Sequence, residues 1–146
     1  MKKLKFSVDI KAPKEKIWKV LWNDQTYRIW TSAFTDGSYA ESDWNEGSKI
    51  LFLDPKGQGM YSTIARKIPN EFMSFKHIGY VKDCKEQPVD EETKKWSGAT
   101  ENYMLKEHNG ITTLTVENEI SGEEWENMLK DAFPKALDKV KELSEK

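Results

Sequence analysis

The sequence predicts an α+β protein in which a curved antiparallel sheet of seven strands wraps around one long C-terminal helix. Three observations predict it. An alternating strand pattern opens the chain and leads into two short helical segments, and six further strand-like runs then follow without a helix between them. One long amphipathic helix closes the chain. A sheet wrapped around a helix in this order tends to leave a hole between them.

The first strand is predicted from strict alternation near the N-terminus. Leu4, Phe6, Val8 and Ile10 are each separated by one polar residue. Because side chains of a strand point alternately to opposite faces, this pattern buries one face and exposes the other.

Two short helices are predicted next. Pro13 stands where the first turn of a helix tolerates proline, and the apolar residues after it recur at helical spacing over about ten positions. Asn23 and Asp24 favour a stop and a new N-cap, and the second helix runs towards Phe34.

Six strands are predicted between clusters of turn residues such as Asp36-Gly37 and Asn109-Gly110. Strands this close together in sequence pair antiparallel, because a parallel pair needs a longer crossover. The predicted strands are Ser38–Ser42, Lys49–Leu53, Met60–Ile68, Phe72–Val81, Ala99–Glu107 and Thr112–Ile120.

Residues Lys82–Ser97 have no clear period, and we interpret them as a mobile flap beside the sheet. The flap contains acidic residues followed by Lys94 and Lys95, a pattern that is usually only solvated. In the alternative role the flap gates the cavity mouth and Trp96 is its latch.

The C-terminal helix begins after Ile120, where Ser121 and Glu124 match a capping box. Apolar residues then keep one face over several turns. Pro134 lies inside this pattern, and the apolar face continues in phase beyond it, which predicts a bend in the helix and not its end.

Composition excludes several classes of function. The chain has 146 residues, which predicts one domain over residues 1–146, and its 25 acidic and 23 basic residues give a net charge of -2, which argues against a nucleic-acid partner. No apolar run is long enough to span a membrane, and no signal peptide is recognisable at the N-terminus. With the single Cys84, these features predict a cytoplasmic protein.

The segments Val8–Trp18 (VDIKAPKEKIW), Gly47–Lys49, Gly57–Met60 and Ile68–Glu71 and the closing helix carry a resemblance to a known family. The chain resembles the START-like superfamily, also called SRPBCC or the birch-pollen-allergen fold. The branch it is most similar to is named after the activator of the 90-kDa heat-shock-protein ATPase. The resemblance covers essentially the whole chain and implies the helix-grip fold, whereas members of the superfamily differ widely in function.

His77 and Glu101 are the candidate reactive residues. If the strands Phe72–Val81 and Ala99–Glu107 are neighbours facing the cavity, as the resemblance implies, the two side chains approach each other. The carboxylate would then orient the imidazole as a general base or as a polar anchor for a ligand. The alternative is a structural hydrogen-bonded pair, or two residues that face solvent.

An aromatic and apolar set is expected to line the cavity and bind a ligand. For any one member, an ordinary core position is the competing interpretation. With His77 and Glu101, the candidate ligand-binding residues are Trp30, Phe34, Phe52, Phe75, Tyr103, Trp125, Leu129 and Phe133.

These observations leave three hypotheses for function. The first is a domain that binds a small apolar molecule, such as a lipid, a polyketide or an aromatic compound. The second is a cyclase or dehydratase that uses His77 and Glu101, and the third is an interaction protein that modulates a chaperone ATPase. No Cys/His set has metal-ligand spacing, no phosphate loop or nucleophile elbow is present, and no cofactor is predicted. Whether the chain is a monomer is left open.

Overall fold

The computed structural model describes residues 1–146. Two helices follow the first strand, and a short 3₁₀ turn at Thr31–Ala33 ends the second of them. The elements are β1 Lys2–Ile10, α1 Lys14–Trp22, α2 Asp24–Trp30, β2 Tyr39–Glu41, β3 Lys49–Leu53, β4 Gly59–Ile68, β5 Phe72–Lys82, β6 Lys85–Glu86, α3 Glu91–Lys94, β7 Thr100–His108, β8 Ile111–Ile120 and α4 Glu123–Ser144.

The strands form one open antiparallel sheet in the order β1-β8-β7-β5-β4-β3-β2, and β6 pairs with β5 beside this path. All seven predicted strands are present, and β6 is an eighth. Two register shifts interrupt the β4–β5 pairing, between Tyr61 and Ser62 and between Ile64 and Arg66. Bulges of this kind bend a strand and increase its local twist, so they help the sheet to curve.

Helix α4 packs against the concave face of the sheet and against α1 and α2. Its last turns bury Leu137 and Val140 among side chains that include Ile10, Leu114 and Val116, all of them at most 3% exposed. This arrangement is the predicted helix-grip fold, in which the sheet wraps around the terminal helix.

The start of α4 differs from the predicted capping box. The helix begins at Glu123, its N-cap is Gly122 at φ +106°, and no side chain caps it. This backbone conformation favours glycine, and it places the N-cap at Gly122, one residue after Ser121, where there is no side chain to bond the first free amides. The helix continues through Pro134 to Ser144, as predicted.

The segment Lys82–Ser97, predicted to have no regular structure, contains the strand β6 and the short helix α3. Asp83 and Cys84 both have positive φ and form a tight turn that lets β6 fold back on β5. The Asp90 side chain then accepts a hydrogen bond of 2.8 Å from the Thr93 amide and caps α3. The hairpin was not predicted from the sequence, because neither residue of its turn is a glycine.

Candidate functional site

A cavity of about 720 Å³ lies between the concave face of the sheet and the first half of α4. The helices α1 and α2 close one side of it, and residues 87–93 border another. Sixteen of its 28 lining residues are hydrophobic. A largely apolar cavity with a few polar groups is the form that small-molecule sites usually take.

Nine of the ten candidate residues line this cavity. Trp125 lies near the opening and remains 37% exposed, as does its neighbour Met128. The nine residues are Trp30, Phe34, Phe52, Phe75, Glu101, Tyr103, Trp125, Leu129 and Phe133.

Four aromatic residues of the wall were not among the candidates: Tyr39 and Tyr80, and two residues of the short helices, Trp22 and Tyr27. Trp22 stands at the centre of the aromatic cluster, with its ring centroid 4.9 Å from that of Tyr103 and 5.4 Å from that of Phe75. Tyr27 packs edge-on against Trp30 at 5.4 Å. Both lie on the short helices, and the only available signal was an aromatic residue beside an apolar helix face, which also describes an ordinary core position.

His77 lies behind the cavity wall, which corrects the expectation that it faces the cavity. Its Nδ1 lies 2.7 Å from Ser62 Oγ and its Nε2 lies 3.0 Å from Glu101 Oε1. The Phe52 ring packs edge-on against the imidazole at 5.9 Å and lines the cavity on its other side. Both ring nitrogens therefore have partners within the protein, and neither is open to a ligand.

His77 and Glu101 do approach each other across neighbouring strands, although only Glu101 faces the cavity. We assign the tautomer in which Ser62 donates to Nδ1 and the Nε2–H donates to Glu101, because it gives every polar atom a partner. The other carboxylate oxygen of Glu101, Oε2, accepts a short hydrogen bond from the Tyr103 hydroxyl. A continuous chain of hydrogen bonds thus runs from Ser62 to Tyr103, and its last two members line the cavity.

Burial and the charge of Glu101 raise the pKa values of two nearby tyrosine hydroxyls. Burial first, and then the neighbouring carboxylate, raise the pKa of Tyr103 well above its usual range. The same two causes raise the pKa of Tyr27. Both hydroxyls therefore stay protonated at neutral pH and are able to donate hydrogen bonds.

The charged side chains of the wall are mainly acidic: Asp54, Asp90 and Glu101 are accompanied by Lys82 alone. Asp54 accepts hydrogen bonds from the amides of its own turn. Asp90 accepts a hydrogen bond from the Thr93 amide, which lowers the pKa of its carboxyl group. Glu101 is the carboxylate that lies among the aromatic rings, so it dominates the electrostatics of the inner cavity.

Trp96 does not act as a latch in this structure. Its ring packs against Tyr80 at 4.7 Å and is not part of the cavity wall. The segment that contains it does border the cavity, through Gln87, Pro88 and Thr93 among others.

No three His, Cys, Asp or Glu side chains are grouped closely enough to hold a metal ion. None of the helices is both long and apolar enough to cross a membrane.

The fold and the cavity define the class: a START-like protein with the helix-grip architecture. The family model described as "Activator of Hsp90 ATPase homolog 1-like protein" matches residues 11–145, and the chain belongs to this family. No curated protein matches the chain.

Solved structures agree with this assignment. The solution structure of the Aha1 dimer from Colwellia psychrerythraea matches with a TM-score of 0.75 at 20% identity, over 99% of this chain and 97% of that one. Protein MLL2253 from Mesorhizobium loti matches with a TM-score of 0.75 at 14% identity, over 97% and 96% of the two chains. DynU16, a protein of the dynemicin biosynthetic locus, matches with a TM-score of 0.65 at 10% identity, over 98% of this chain and 48% of that one. At these identities the likeness shows the fold alone.

Proposed function

We propose that this protein binds a small apolar molecule in the cavity between the sheet and the first half of α4. The observation that carries the proposal is the cavity itself, about 720 Å³ of space lined mainly by apolar and aromatic side chains. Empty space in a core costs stability because its lining atoms lack contacts. A ligand that fills the space would supply those contacts.

The position of His77 makes a binding role a better proposal than catalysis by His77 and Glu101. A general base must reach the proton that it removes, directly or through one water. Both nitrogens of His77 are hydrogen-bonded within the protein, and its side chain is 8% exposed. Glu101 and Tyr103 remain as polar contacts for a ligand, and their mutual hydrogen bond fixes their orientation.

The proposal is tested by calorimetric titration with a panel that contains a fatty acid, a flavonoid and an aromatic polyketide. We expect saturable binding of at least one of them with a stoichiometry of one. In a blocking variant, Leu129→Trp, the larger ring would occupy the cavity and abolish that binding.

The matched control is Glu142→Trp, which places the same ring on the exposed outer face of the same helix. It should bind like the wild type. Thermal unfolding of both variants checks that they are folded. The absence of saturable binding by any member of the panel, or equal losses in the two variants, would contradict the proposal.

A second candidate is modulation of a chaperone ATPase, and the observation that favours it is the family match over residues 11–145. Its test is the ATPase rate of a purified 90-kDa heat-shock protein with and without this protein. A rate that does not change at saturating concentration would remove this candidate without affecting the first.

A further inference from the structure

The inner end of the cavity offers one strong hydrogen-bond acceptor. Glu101 accepts one bond at each carboxylate oxygen, from His77 at Oε1 and from Tyr103 at Oε2. An ionised carboxylate has about four acceptor positions, so it can accept further donors. Its side chain is 19% exposed, and no lysine or arginine pairs with it. A second carboxylate brought into this space would face a like charge in surroundings that screen it poorly.

The same end also offers hydrogen-bond donors. Tyr27 lines the cavity, and burial and the charge of Glu101 keep its hydroxyl protonated. Trp22 also lines the cavity, and its buried indole N–H lacks a partner. An ammonium group would satisfy Glu101 but could not accept a bond from either donor.

A hydroxyl group meets both requirements, since it donates one hydrogen bond and accepts others. We infer that the ligand of this cavity is an apolar, ring-containing molecule whose inner polar group is a neutral hydroxyl, donated to Glu101 and accepting from Tyr27. This inference rests on the proposed binding function and adds the chemistry of the ligand. The flat rings of Trp22, Trp30 and Phe75 favour a ring system beside that hydroxyl, through edge-on and offset contacts.

The test compares three ligands that differ only in the polar group: naphthalenemethanol, naphthylmethylamine and naphthoate. Their dissociation constants are measured by calorimetry at neutral pH. We expect the alcohol to bind roughly tenfold or more tightly than the carboxylate, and more tightly than the amine. Glu101→Gln keeps the shape of the side chain and removes its charge. Naphthoate should therefore bind this variant more tightly, and the affinities of the alcohol and the carboxylate should become nearly equal.

Glu117→Gln is the matched control, because it removes the same charge from the outer face of the neighbouring strand β8. It should keep the wild-type preference. Equal or tighter binding of naphthoate, tightest binding of the amine, or a preference that survives Glu101→Gln would overturn the inference while cavity binding stands. If none of the three ligands nor any member of the earlier panel binds, the proposed function fails and this inference fails with it.

Discussion

The two halves of helix α4 use one apolar stripe in different ways. In the last turns, Ala136, Leu137 and Val140 are at most 3% exposed and are packed against the sheet and α1. In the first turns, Trp125 and Leu129 border the cavity, and Trp125 is 37% exposed. The same helix therefore closes the core at one end and leaves it open at the other.

Phe133 marks the boundary between the halves. Its ring stacks on Phe6 at 5.0 Å and meets Phe34 edge-on at 4.8 Å, and it also lines the cavity. Beyond it, branched side chains interdigitate, whereas the residues opposite the first turns are large flat rings that leave space between them. Under the proposed function, one end of this helix stabilises the fold and the other end binds the ligand.

The largest expected effect comes from the packed half. Leu137→Ala removes a side chain that is only 3% exposed, and it should lower the free energy of unfolding by about 2–5 kcal/mol. Guanidinium denaturation measures this loss, with the exposed neighbour Asp138→Ala as the control. A loss below that of a surface variant would show that this half is not the tightly packed one.

The next largest effect on stability is expected at the hydrogen bond between Tyr103 and Glu101 in the cavity. Tyr103→Phe removes the donor to Glu101 and should destabilise the protein by about 1–3 kcal/mol. Because the pKa of Tyr103 is raised in the folded state, the folded protein keeps this proton when the unfolded chain loses it, and stability falls as pH rises above about 10. The phenylalanine variant lacks this contribution.

The free energy of unfolding of Tyr103→Phe should therefore come closer to that of the wild type above pH of about 10, as measured by urea denaturation at several pH values. A deficit that grows with pH would mean that Tyr103 ionises more readily in the folded protein than in the unfolded chain.

The open half should be nearly neutral for stability. Trp125→Ala is expected to change the free energy of unfolding by less than about 1 kcal/mol, because its side chain is partly exposed. Loss of one aromatic contact should nevertheless weaken naphthalenemethanol binding roughly three- to tenfold. Asn127→Ala, an exposed position of the same turn, is the calorimetric control. A large loss of stability with unchanged binding would show that Trp125 belongs to the packed core and not to the ligand site.

The smallest effect lies at the outer start of α4, where Lys2 and Lys130 pair with Glu126 at 2.8 Å and 2.7 Å. Hydrogen bonds from Lys130 and then Lys2 lower the pKa of Glu126 to about 2. Its contribution to stability is therefore present above the ordinary glutamate pKa of about 4.3 and is lost as pH falls towards 2.

Glu126→Gln should remove this acid-dependent contribution, so its thermal midpoint should fall less than that of the wild type between neutral pH and acid. Because the pair is accessible to solvent, the difference should be slight and should shrink further in high salt. A salt-independent difference would place the carboxylate in a more buried setting.

Much of this architecture could be predicted from the sequence, because alternating and helical patterns report which face of an element is buried. The strands, the amphipathic helix and nine members of the cavity wall follow from that information. What failed depended on backbone geometry. The left-handed Gly122 displaced the cap from Ser121, and the turn at Asp83 and Cys84 has no glycine to mark it.

The site was predicted less completely, because strand alternation places a side chain on a face but not at a depth. His77 is on the inner side of β5, yet Phe52 and Glu101 lie between it and the cavity. Trp22 was missed for a related reason, since helical spacing alone cannot distinguish a ring that lines a cavity from one that fills a core.

The six tryptophans provide the most direct test of the central claim, that the cavity beside the first half of α4 is a ligand site. The indole N–H signals in a ¹⁵N correlation spectrum are assigned by single Trp→Phe variants and followed during titration with naphthalenemethanol. Trp22, Trp30 and Trp125 line the cavity, whereas Trp96 does not line it and packs against the wall residue Tyr80. We predict saturable shifts of the first three signals and a clearly smaller shift of the Trp96 signal. Unchanged signals from Trp22 and Trp30 at saturating ligand, or shifts confined to Trp96, would contradict the account.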